Sequence, residues 1–133
     1  MIMQKILLAE YDWIVKVFYD VGSQDADEIC KELACIGCEE RFLSDAERNL
    51  SGGLNGGLTY SNMSTRNSVV AIAMASESGE LLNTASHEAL HVVGHICEYY
   101  GIDMHTERAC YLMGGLMQSM WNVLKNITTE NNG

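Results

Sequence analysis

Residues 87–91 read HEALH, two imidazoles and one carboxylate within little more than one helical turn. A helix advances about 100° per residue, so His87 and His91 share a face one turn apart, where both can reach a single zinc ion. Glu88 falls on the flank of that pair, placed to take a proton from a metal-bound water instead of ligating the metal. Zinc brings the pKa of a bound water from near 16 toward roughly 7, which makes hydroxide available at neutral pH and amide hydrolysis reachable. The expected substrate is a peptide or protein. Ala89 and Leu90 are uncharged, as a helix face packed against a core requires. The competing reading is a pair of surface histidines on an amphipathic helix.

Catalytic zinc usually takes three protein ligands and leaves a position open for water. His95 continues the i, i+4 series but lies roughly 12 Å along a straight helix from His87, which suits a supporting or packing role better than ligation. In HEALHVVGHIC, Gly94 and Cys97 stand where metzincins carry a glycine and their third histidine, so Cys97 is one candidate. Glu107 is preferred. It opens the next helix, and a helix folding back after Gly101 can turn its first residues toward the metal, giving a His, His, Glu set as in thermolysin-type enzymes. His105 is its neighbouring alternative, and an ordinary surface glutamate remains open. Tyr111, one turn beyond Glu107, is a candidate donor to a tetrahedral oxyanion, with a core tyrosine as the plain alternative.

These side chains need elements to hold them. Residues 5–21, rich in β-branched and aromatic side chains with Asp12 near the middle, predict two strands joined by a turn. Ile29, Leu33 and Ile36 recur at helical spacing after an acidic first turn, predicting a helix from residue 25 that stops at Gly37. Ser44 with Glu47 resembles a capping box for a helix over 44–50. Strands are predicted over 58–63 and 67–75, pairing around 64–66. Two long helices follow, over 78–100 and 104–124, separated by Gly101 as a C-cap. Met104, Met113, Met117 and Met120 with Leu112, Leu116 and Trp121 form a stripe expected to pack on the HEALH helix.

With 18 acidic against 8 basic residues the net charge is −10, which repels phosphate backbones and makes nucleic acid a poor partner. No apolar run suggests a membrane span or a secretory leader. Five cysteines, an odd number, suit reduced thiols in a cytoplasm. The Cys35–Cys38 CxxC ends a predicted helix instead of starting one, so incidental thiols are the better reading. The glycines at 52, 53, 56 and 57 lack the setting of a phosphate loop and read as turn residues.

The segments GLTYSN (57–62), LLNTASHEALHVVGHI (81–96) and ERACYL (107–112) resemble a group of small bacterial and phage-associated HExxH proteins, the likeness covering most of the chain. That resemblance implies a minimal zinc peptidase of zincin type in which the glutamate matching Glu107 accompanies the two histidines. The expectation is therefore one α+β, zincin-like domain over 1–126 with a flexible tail at 127–133. A small, mainly antiparallel sheet carries the two long helices across one face, the site lies between them, and strand 68–75 offers a free edge to substrate. Two non-catalytic readings stand beside it. One is a metal-binding structural or regulatory protein with all positions filled, for instance by His87, His91, Glu107 and Cys97. The other is an interaction module whose histidines are incidental.

Overall fold

The computed structural model describes residues 1–127. The tail expected at 127–133 lies outside them from residue 128 on, while Ile127 closes the last helix. The order is β1 (Ile2–Leu8), β2 (Trp13–Val21), α1 (Ala26–Cys35), α2 (Glu40–Ser51), β3 (Gly57–Asn62), β4 (Asn67–Ala73), α3 (Ser78–Tyr100) and α4 (Glu107–Ile127). β1 and β2 form the expected hairpin, closed by a 3₁₀ turn at Ala9–Tyr11 and by Asp12 at φ 49°, a left-handed conformation that aspartate tolerates. β3 and β4 form the second hairpin, with Asn62 opposite Asn67.

The four strands are ordered β1-β2-β4-β3, and β2 runs parallel to β4. The sheet is thus mixed, with two antiparallel pairings and one parallel, because α1 and α2 carry the chain from β2 across one face before the second hairpin is laid down. This crossover corrects the expected edge. β4 is not an edge: its run of apolar residues is buried on both faces, Val70 and Ile72 on one side and Val69 and Ala71 on the other. The edge beside α3 is β3, whose only strand partner among the described residues is β4.

Helices cover both faces, giving three layers. On one side Trp13, Val15 and Val17 meet α3 through Ala85, Ala89 and Val92 and α4 through Leu112, Leu116 and Met120. On the other, Phe18, Val69 and Ala71 meet Ile29 and Leu33 of α1 and Ala46 and Leu50 of α2. Each fully buried aliphatic side chain contributes about 1.5–3 kcal/mol to holding the layers together. A register shift after Phe18, with Asp20 at φ 59°, turns Val21 onto the Phe18 face and so fills the second core.

Two helix starts differ from expectation. α2 begins at Glu40, so Ser44 lies inside the helix and caps nothing; the buried Ala46 and Leu50 decide where the amphipathic face falls. α4 begins at Glu107 because the Thr106 hydroxyl accepts the Ala109 N–H at 3.4 Å and the Asp103 carboxylate accepts the His105 N–H at 2.9 Å, stopping the chain from coiling earlier. Met104 and Trp121 of the expected stripe are exposed, whereas Leu124 completes it. No helix among the described residues is long and apolar enough to cross a membrane.

Candidate functional site

The buried stripe Ala85, Ala89, Val92 and Ile96 fixes how α3 sits on the sheet. Residues four apart advance about 40° around the helix, so His87, His91 and His95 spiral from the solvent side toward the core along one flank. His87 and His91 are exposed and His95 is half-buried. That flank faces the β3 edge. Gly57, Thr59 and Ser61 alternate onto the same side of β3, and the last two bond to α3: the Thr59 hydroxyl donates to Glu88 Oε1 at 2.9 Å, and Ser61 Oγ lies 2.7 Å from His95 Nδ1. Glu88 is 4 % exposed. Its other oxygen, Oε2, lies 3.8 Å from His87 Nε2.

An open groove of about 470 Å³ runs past these residues, walled by His87, Glu88, His91 and His95 of α3, by Gly57, Leu58 and Thr59 of β3, and by Phe42, Asp45 and Asn49 of α2. The centres of the His87 and His91 rings are 5.0 Å apart. Two imidazoles bound through nitrogen at about 2.0–2.1 Å to one tetrahedral ion have ring centres roughly 5 Å apart, the same separation as this pair. Among the described residues, no three His, Cys, Asp or Glu side chains come close enough to hold an ion as they stand. Burial, with the neighbouring His91 ring adding to it, lowers the pKa of His95 below the usual imidazole range against the opposing pull of Glu98.

Glu107 and Tyr111 are not brought to this pair. The buried face of α4 is Ala109, Leu112, Leu116, Met120 and Leu124, and Glu107 stands about 180–200° around the helix from Ala109 and Leu116, on the solvent side. Tyr111 is 78 % exposed and lines a different hollow, beside Leu7, Tyr11 and Arg108 at the far edge of the sheet. His105 is exposed in the α3–α4 connection. Cys97 is packed in the core between α3, α4 and the sheet, where burial pushes its thiol pKa up. All five cysteines are free thiols.

The metzincin-like spacing has no counterpart in the backbone, because α3 continues unbroken through Gly94 to Tyr100 and ends only at Gly101, at φ 68°. Gly94 serves no turn, and a methyl group there meets nothing within 4 Å. Gly94→Ala is expected to stabilise the protein by about 0.5–1 kcal/mol, read as a raised urea midpoint at unchanged slope.

Sequence reasoning missed Thr59, Asp45 and Asn49 and took Gly57 for a turn residue. The signal for Thr59 and Ser61 was their polar alternation within GLTYSN; Asp45 offers none, since any exposed helix carries such residues. Family models, curated proteins and solved structures, compared with this chain, yield no match.

Proposed function

We propose that the groove is the active site of a zinc-dependent peptidase with a zincin-like arrangement. The observation that carries this reading is the pairing of two imidazoles at the separation expected for one ion with a buried carboxylate oxygen 3.8 Å from His87 Nε2, all opening onto a sheet edge.

His87 and His91 would hold the ion. Asp45 is the carboxylate besides Glu88 on the groove wall, paired there with Arg48, and it would have to leave that partner to serve as a third ligand, whereas Glu107 faces away. When bound, zinc supplies Lewis acidity and makes a water acidic enough to lose a proton near neutral pH. With Thr59 steadying Oε1, Glu88 Oε2 would serve as the base that accepts a proton from the attacking water and passes it to the departing amine nitrogen. The outer edge of β3 supports a peptide substrate: an extended chain can add there as a further strand, running along the flank that carries His87, Glu88 and His91. The net charge of −10 argues against a nucleic-acid substrate. A closed structural metal site is less well supported, since the His87 side chain is 64 % exposed and Cys97 points into the core.

Metal analysis tests the reading. Protein purified without added zinc is expected to carry about one zinc per chain and to lose thermal stability with chelator. His87→Ala and His91→Ala are each expected to weaken zinc binding by more than the roughly 10–100-fold that follows from disturbing a mere supporting residue. Glu107→Gln is expected to leave it unchanged. Stoichiometric zinc retained in both alanine variants overturns the metal site.

A further inference from the structure

Behind the groove, a chain of hydrogen bonds runs from the core to His95. Trp13 Nε1 lies 2.9 Å from Ser68 Oγ, Ser68 Oγ lies 2.7 Å from Ser61 Oγ, and Ser61 Oγ lies 2.7 Å from His95 Nδ1. Trp13 is fully buried and Ser68 is 1 % exposed. The first direction is fixed, and we infer the other two by giving each buried hydroxyl proton an acceptor within the chain. An indole N–H can only donate, so Ser68 accepts from Trp13. The single proton of the Ser68 hydroxyl, sealed from water, goes to its other side-chain partner, Ser61 Oγ. Ser61 then spends its own proton on His95 Nδ1. A ring nitrogen that accepts carries no proton, so the neutral His95 ring bears its hydrogen on Nε2.

His95 lines the same groove as His87, Glu88 and His91, its ring stacked on that of His91 with centres 6.4 Å apart. In that arrangement neither of its nitrogens is a free ligand, since Nδ1 is engaged by Ser61 and Nε2 carries the proton. We propose that His95 is a catalytic hydrogen-bond donor, its Nε2–H aimed at a backbone carbonyl of the bound peptide, with Trp13, Ser68 and Ser61 as positioning residues that hold the tautomer. The carbonyl oxygen gains negative charge as its carbon is attacked, and a donor fixed in advance stabilises that charge without reorganising. A neutral donor also avoids placing a second cation beside the metal pair. The carbonyl as partner rests on the peptidase reading; the tautomer does not.

The two are tested separately. In long-range ¹H–¹⁵N spectra of the metal-free protein, His95 is expected as the Nε2–H tautomer, and Ser61→Ala is expected to give a mixture of tautomers. On adding zinc, His87 and His91 are expected to take on metal-bound nitrogen shifts while His95 keeps its own. A proton found on Nδ1, or a metal-bound shift at His95, overturns the assignment. In peptide hydrolysis, His95→Leu is expected to lower kcat roughly 10²–10³-fold with zinc content unchanged and KM little altered. His95→Gln, which places an amide N–H near the position of Nε2, is expected to recover part of the loss. Full kcat in His95→Leu overturns the donor role. A wild-type protein that cleaves no peptide overturns the peptidase reading and the carbonyl with it, while the spectra still decide the tautomer.

Discussion

Glu88→Gln is expected to lower kcat for peptide hydrolysis roughly 10²–10⁴-fold, the range for losing a general base, while zinc content and thermal midpoint stay near the wild-type values. The substitution is nearly isosteric. The glutamine carbonyl can still accept the Thr59 hydroxyl that Glu88 Oε1 now accepts at 2.9 Å, so the side chain keeps its place against β3. What changes is the atom facing His87: a carboxylate oxygen 3.8 Å from Nε2 becomes an amide NH₂, which has no basic lone pair to take a proton. Since Glu88 is outside the proposed ligand set, zinc should remain. Parallel measurement of kcat and bound zinc separates this from a ligand role. Undiminished turnover with zinc in place would remove Glu88 as the base, and turnover lost together with zinc would make it a ligand.

The placing of His87 and His91 one turn apart on a helix was readable in advance because it depends only on helical periodicity, and α3 spans Ser78–Tyr100 as expected. Glu107 and Tyr111 are not brought to the histidine pair, for a reason that is itself physical. A ligand on a second helix must lie on the face turned toward the first, and that face is chosen by packing, not by distance along the chain. The apolar positions of α4 held a warning, since a stripe through Ala109, Leu112 and Leu116 leaves Glu107 on the opposite side. Two interleaved stripes blurred it, because Met113 and Met117 repeat at the same spacing one residue on and pack only partly against the core.

The edge of the sheet was misplaced for a similar reason. SVVAIA in β4 has no polar alternation, the mark of a strand covered on both faces and therefore central. GLTYSN in β3 alternates, with Leu58 and Tyr60 toward the α2 side and Thr59 and Ser61 toward α3. The polar face of the edge strand is thus the face that holds Glu88 and His95. What no local pattern conveys is the parallel pairing of β2 with β4, which depends on α1 and α2 crossing one face of the sheet.

Gly57→Ala is expected to damage both stability and catalysis while sparing the metal ligands. A Cβ at residue 57 would lie 2.7 Å from Glu88 Cγ, 3.1 Å from Glu88 Cδ and 2.8 Å from the Ala71 carbonyl oxygen. The last contact is with the backbone of β4, which is paired to β3 in this stretch and cannot withdraw without disturbing the ladder. Overpacking of this kind costs about 1–3 kcal/mol, a fall of several degrees in Tm for a domain of this size. Glu88 is the softer obstacle, so its side chain moves first and leaves Thr59 and the flank of His87. The expected result is a kcat reduced toward that of Glu88→Gln in a folded protein that still binds zinc. Gly56→Ala is the control: a methyl group there meets nothing within 4 Å, but φ is +89°, so it carries backbone strain without touching Glu88. If both variants lose the same stability and Gly57→Ala keeps full turnover, the glycine is there for the strand alone, and close approach to β3 is not what aims the carboxylate.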